Sequence, residues 1–204
     1  MDLDETLVHT VQEKEQWNLI KDTFADRPGE VLHHSFDDKH HVKVVKRPGV
    51  LEFLYEMEKH FRLVIFTAGT RSYATPILDW LDPSGALFAA RYHQDDCTVH
   101  RSHDGTESLV KDLRKLGVSM NQVLLLDNRS MSYHFQKANG VPIPDFFADR
   151  NDQVFLQGAY TNILRHASTL EDVRVGVSAE FCRVVEEHQF SQVRVLFAIV
   201  YEYE

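Results

Sequence analysis

Leu63-Val64-Ile65-Phe66-Thr67-Ala68-Gly69-Thr70 decides how this chain folds. Four consecutive apolar residues, two of them β-branched, suit a short strand covered on both faces, the kind found in parallel sheets. The run gives way to small and hydroxyl residues. Tyr73, Ile77, Trp80 and Leu81 then recur on one helical stripe until Asp82-Pro83 stops it. The alternation continues on both sides. Pro48 sits well at a helix start, and Val50, Leu51, Phe53, Leu54 and Met57 give that helix a broad apolar face. Val123-Leu124-Leu125-Leu126 reads as a second buried strand, closed by Asp127-Asn128. Between Asn151 and Ala167, Leu156, Tyr160, Ile163, Leu164 and Ala167 keep helical spacing. Helices alternating with short, fully apolar strands predict an α/β fold, Rossmann-like, with a largely parallel sheet flanked by helices.

Upstream of this pattern, Gln12 to His41 is polar and turn-rich, with Arg27-Pro28-Gly29 marking a turn. Val31-Leu32 and His41 to Val45 read as strands around a tip at Asp37-Asp38-Lys39, so residues 12–45 are expected to form a hairpin insertion. His33, His34, His40 and His41 crowd that hairpin and read as a solvated strand pair in preference to a metal site. Residues 1–176 are expected to form one domain. Residues 177–204 would add a helix and a strand packed on it, the strand being Val193 to Val200.

The composition sets outer bounds. At 204 residues, with 43% hydrophobic and 26% charged residues, the chain has room for one sizeable core. A net charge of −9 argues against direct nucleic-acid or anionic-membrane binding. Cys97 and Cys182 are in no metal-type spacing and fit a reducing compartment. No apolar run is long enough to span a membrane. The acidic Asp2-Asp4-Glu5 start is the reverse of a targeting peptide. A monomer, nuclear or cytoplasmic, is expected.

The chemistry begins at Asp2-Leu3-Asp4-Glu5-Thr6. Carboxylates one residue apart face the same way in an extended segment, so one can attack phosphorus while the other handles the leaving-group proton. An EF-hand loop is the obvious competitor, but its sixth position would be Leu7, where the sharp turn requires Gly. Open α/β sheets bind ligands at the carboxyl ends of their strands. Asp2 and Asp4, Thr67, and Asp127-Asn128 all fall at such ends, with Lys111 shortly before the last. Each has a structural reading: Thr67 a helix cap, Lys111 a solvated helix lysine, Asp127-Asn128 a turn. Their gathering at one sheet edge favours a site. Phosphoryl transfer then assigns Asp2 as nucleophile, Asp4 as acid and later base, and Thr67 and Lys111 as phosphate holders. Asp2, Asn128 and a backbone carbonyl are hard oxygen ligands suited to Mg²⁺.

With those residues in view, the chain resembles the haloacid dehalogenase superfamily, and within it the small phosphatases acting on the C-terminal domain of RNA polymerase II, the Fcp/Scp-like or NIF-like family. The resemblance rests on Asp2 to His9, Lys46-Arg47-Pro48, Phe66-Thr67-Ala68, Val110-Lys111-Asp112-Leu113, Leu126-Asp127-Asn128 and Asn139 to Ile143. Asp149 to Asp152 and Glu171 to Arg174 resemble the family's closing region. It implies Mg²⁺-dependent dephosphorylation of phosphoserine or phosphothreonine in a protein or peptide through an aspartyl-phosphate. Ala68 would join the phosphate site, Asp4 would supply the metal's backbone carbonyl, and Asp127 would stand behind the metal ligands. Thr70, Tyr73, Gln94 and Arg101 would line the substrate groove. The same fold also serves as a non-catalytic binding module, which stays open as the alternative.

Two departures carry expectations of their own. Family members have an apolar strand directly before the first aspartate, where this sequence has only Met1. A gene start set too late or a shortened, inactive product would account for it, or Val193 to Val200 would fill the gap. Gln94 stands where the family usually has an arginine, with Arg91 or Arg101 as stand-ins, and His100 to Glu107 read as an insertion. Both Gln94 and Thr70 weaken the match to the polymerase heptad as substrate.

Overall fold

The computed structural model describes residues 1–12, 14–35 and 41–177. The chain begins with β1 (Val8–Val11), α1 (Lys14–Ile20), β2 (Val31–Ser35) and β3 (His41–Lys46). These strands form an antiparallel sheet in the order β1-β3-β2, so the expected insertion hairpin is present, its tip lying outside the described residues. Of its histidines, His33 and His41 are exposed, and His41 Nδ1 lies 2.5 Å from Ser35 Oγ. Among the described residues no cluster of three His, Cys, Asp or Glu side chains could hold a metal.

Next come α2 (Val50–Met57), β4 (Val64–Phe66), α3 (Arg71–Leu81) and β5 (Ala90–Tyr92). The apolar face read from the sequence is buried in α2 through Val50, Phe53, Leu54 and Met57. Gly49, at φ +77°, starts that helix in place of Pro48, because the chain must turn in the left-handed region there. A Cβ at Gly49 would fall 2.7 Å from Leu156 Cδ2. β6 (Thr98–Arg101) and β7 (Glu107–Val110) form an antiparallel hairpin, which is the form the 100–107 insertion takes. Lys111 therefore follows a strand and is buried, so the structural reading of it as a solvated helix lysine does not hold. Only short 3₁₀ turns lead from it to β8 (Leu125–Asp127). β9 (Gly140–Pro142) and α4 (Ala159–Ala167) complete the described elements. Leu156 falls before α4, in the turn ahead of Gly158, and is exposed. Val193 to Val200 lie outside the described residues.

The parallel part of the fold is in two halves, β4 with β5 and β8 with β9. Met1 and Asp2 bridge them. The Met1 amino group donates to Val64 O at 2.6 Å, Phe66 N–H to Met1 O at 2.9 Å, and Asp2 N–H to Leu126 O at 2.9 Å. These bonds connect Met1 to β4 and Asp2 to β8. Beyond them lies a cleft of about 310 Å³, lined on its walls by Leu63, Val64, Leu124 and Leu125 and by helix residues including Met57 and Leu164.

Arg47 locks the site end of this frame and is wholly buried. Its Nε and Nη2 reach the two oxygens of Asp152 at 2.9 and 2.8 Å, and Nη1 donates to Thr6 O and Pro144 O at 3.2 and 2.9 Å. One planar fork thus ties the first motif to two loops distant in sequence. Arg47→Lys keeps the charge but loses the fork, and is expected to cost about 2 kcal/mol in guanidinium unfolding. An unchanged midpoint would refute this role.

Candidate active site

The first motif turns sharply as it leaves the sheet. Leu3 O accepts from Leu7 N–H at 2.9 Å and Val8 N–H at 3.2 Å, and Glu5 takes φ +57°. A left-handed non-glycine residue is uncommon and clusters at functional sites. The turn leaves Asp2 and Asp4 at the sheet's carboxyl edge, Asp2 buried and Asp4 partly so. Thr67, fully buried, ends β4, and its hydroxyl accepts from Gly69 N–H at 2.9 Å, leaving its proton to donate. Ala68 lies in that turn. The helix-cap role considered for Thr67 belongs to Thr70, whose hydroxyl accepts from Tyr73 N–H at 3.4 Å.

Lys111 carries the centre. Its buried ammonium donates to Asp2 Oδ1 and, at 2.6 Å, to Asp127 Oδ2. Burial alone would lower the Lys111 pKa, but the two carboxylates outweigh it and hold the pKa up, keeping the ammonium charged. Burial and the Asp2 charge push Asp127 up against the pull of Lys111. Two carboxylates thus share one cation, leaving an excess of negative charge.

The opposite oxygen of Asp2 points elsewhere. Thr6 Oγ1 donates to Asp2 Oδ2 at 3.4 Å or to Asn128 Oδ1 at 3.3 Å, so these two oxygens converge on one hydroxyl. Asn128 is oriented by its amide, which donates to Asp145 Oδ1 at 2.6 Å. Two convergent hard oxygens, one charged, fit a Mg²⁺ ion that keeps several waters.

Asp4 has a different environment. Burial pushes its carboxyl up from 3.8 to about 7. The Tyr73 hydrogen bond opposes the shift, and the Asp2 and Glu5 charges add to it. In the metal-free protein the folded state therefore holds a proton that the unfolded state has lost over this range. Stability from this group falls as pH rises from about 4 to about 7, by up to about 4 kcal/mol. Asp4→Asn cannot titrate, so it is expected to gain on the wild type across that window. Urea midpoints of both proteins at the two ends check this, and a pH-independent difference refutes it.

The structure brings Asp2, Lys111, Asp127 and Asn128 together, with Tyr73 on Asp4. Gln94 is exposed beside the Thr67 turn, its N–H donating to Gly69 O at 2.9 Å. Arg101 is exposed on β6 and held across the hairpin by Glu107. Arg91 pairs with Asp79 at 2.5 Å. Each of the two arginines considered as stand-ins thus has an acidic partner.

The profile of NLI interacting factor-like phosphatases matches residues 1–174. The chain belongs to that family. This NLI interacting factor-like chain is 38% identical over 156 residues to the CTD small phosphatase-like protein of Homo sapiens, covering 76% of this chain and 51% of that one. It is 37% identical over 173 residues to the carboxy-terminal domain RNA polymerase II polypeptide A small phosphatase 2 of Homo sapiens, covering 85% and 58%. Against nuclear envelope morphology protein 1 of Schizosaccharomyces pombe the identity is 32% over 154 residues, covering 74% and 29%. The family chain thus spans between about a quarter and three fifths of these relatives' length. The solved structure of Fcp1, an essential RNA polymerase II CTD phosphatase, matches with a TM-score of 0.56 at 20% identity, covering 92% of this chain and 53% of that one. That likeness supports the α/β fold.

Sequence reasoning about this family chain missed Thr6, Arg47, Asp145 and Asp152 as site-building residues. Lys46-Arg47-Pro48 and the 149–152 segment were visible as matching motifs, but nothing local says that they pair. Asp145 gives no signal beyond a loop carboxylate.

Proposed function

We propose that this domain is a Mg²⁺-dependent protein serine/threonine phosphatase working through an aspartyl-phosphate. The observation that carries the reading is the division of Asp2: Oδ1 on the buried Lys111, Oδ2 converging with Asn128 Oδ1. Such a carboxylate is held in one orientation, with a cation at one oxygen and the other turned toward a second hard oxygen. Mg²⁺, held by Asp2, Asn128 and the Asp4 carbonyl, would neutralise charge between the nucleophile and the incoming phosphate dianion. An Asp2 oxygen attacks phosphorus in line, and the bond to the serine or threonine oxygen breaks. Asp4, raised to about 7, gives that oxygen its proton. Thr67 and Lys111 hold the equatorial oxygens, with the Ala68 backbone beside them. Asp4 then takes a proton from water attacking the acyl phosphate, which frees phosphate and restores Asp2.

The names of the relatives support a phosphorylated protein as substrate. Gln94 and the paired Arg91 and Arg101 offer little to a second substrate phosphate, which points to singly phosphorylated peptides. Among the described residues no helix is long and apolar enough to cross a membrane. A nuclear or cytoplasmic monomer fits the reading. The test is release of phosphate from an aryl phosphate and from phosphoserine peptides, with Mg²⁺ and with excess chelator. Turnover that needs Mg²⁺ supports the enzyme. A folded protein with no turnover overturns it in favour of a binding module.

A further inference from the structure

Tyr73 lies in the first turn of α3 and joins three parts of the chain. Its hydroxyl donates to Asp4 Oδ1, and Thr10 Oγ1, on β1, lies 2.6 Å from the same hydroxyl. A phenol has one proton to give. With that proton on Asp4, the Thr10 hydroxyl must donate to the phenol oxygen, so the chain of donation runs Thr10 to Tyr73 to Asp4. The ring is seated by Gly69: a Cβ there would fall 2.8 Å from Tyr73 Cδ1. The turn that carries Thr67 therefore also sets the position of Tyr73.

We propose that Tyr73 is a positioning residue for the acid step, pinning Asp4 through Oδ1 so that Oδ2 is presented to the leaving oxygen. This rests on the phosphatase reading above. In the step concerned, the bond from phosphorus to the leaving oxygen breaks, the bond to Asp2 forms, and the proton passes from Asp4 to the leaving oxygen. The Tyr73 proton stays on the phenol throughout. A pinned carboxyl presents its acid hydrogen in one direction, whereas a free one spreads it over many. Strand β1, which leads into the insertion, thereby acts on the site through the Thr10 and Tyr73 side chains.

The experiment compares kcat/KM of wild type, Tyr73→Phe and Thr10→Val over phosphate monoesters ranging from activated aryl to alkyl, phosphoserine peptide included. This parameter covers only the steps through leaving-group departure, so the later hydrolysis of the acyl phosphate does not mask the effect. Tyr73→Phe is expected to lose about 10- to 100-fold on alkyl leaving groups, part of what a general acid contributes. Its loss on the most activated ester is expected to be far smaller. Thr10→Val follows the same trend with a smaller loss, and Tyr73→Phe adds no further slope in an Asp4→Asn background. A loss uniform across the series, no loss, or full additivity with Asp4→Asn overturns the positioning role while leaving the phosphatase intact. No Mg²⁺-dependent turnover in the wild type overturns both.

Discussion

Asp2→Asn is expected to abolish phosphate release, lowering kcat by roughly 10⁴-fold or more, as loss of a residue that bonds to the reacting atom does. Asparagine keeps the shape of the side chain and one oxygen for Lys111 but has no anionic oxygen with which to attack phosphorus. It should do so without unfolding the protein. In the wild type, two buried carboxylates share the single ammonium of Lys111. Removing one charge leaves a balanced pair with Asp127, so thermal stability should hold or rise. Active-site charges that cost stability are a common compromise. Steady-state assays alongside thermal melts check both halves. Retention of more than about a hundredth of the activity would remove Asp2 as nucleophile.

The second large effect is the reverse case. Lys111→Met leaves Asp2 and Asp127 buried with no cation between them. Breaking a buried ion pair by deleting one partner typically costs about 3–5 kcal/mol, since the remaining charge is uncompensated. For a chain of this size that is a fall in Tm of about 10 °C. The deficit should shrink as pH falls, because the Asp127 carboxyl, already pushed up by burial, then takes up a proton more readily in the folded state than in the unfolded one. Adding Asp2→Asn to Lys111→Met should restore part of the loss. Melts at neutral and mildly acidic pH measure it, and a deficit that does not change with pH would mean the cost is one of packing. Activity of the single variant should be lost as well, because the phosphate would meet bare carboxylates.

The elements legible in the sequence were those whose pattern is uniform. Leu63 to Phe66 and Val123 to Leu126 are apolar without interruption and declare themselves, although Val64, Val123 and Leu124 are only partly buried. Amphipathic α2 and α3 did so by spacing. The β6–β7 hairpin did not, because Thr98 to Val110 mixes His, Asp, Arg and Glu on short edge strands that are mostly half-exposed. Lys111 consequently carried a solvated helix lysine as its structural reading, whereas it is buried directly after β7. Within the candidate site, Asp2, Asp4, Thr67 and Asn128 stand out in the sequence because each falls at a strand end, and the resemblance implies the roles proposed for them. Arg47 escaped because its meaning lies in Asp152, 105 residues on, and in two carbonyls, none of which a local pattern can reveal. Tyr73 was visible as a helix-stripe residue and a groove candidate, but its bond to Asp4 depends on how closely α3 approaches the first motif.

The Met1 amino group, bonded to β4 at Val64, has a consequence for handling the protein. Any atom attached to that nitrogen, whether an acetyl group, a fluorophore or a purification tag, must lie in the apolar cleft beside Val64 and Leu125. A polar segment there would face Met57, Leu125 and Leu164, which offer it no hydrogen bonds from their side chains. A short apolar leader would instead match them. Whatever is joined to Met1 is thus coupled through one residue to the Asp2 backbone, which is bonded to Leu126.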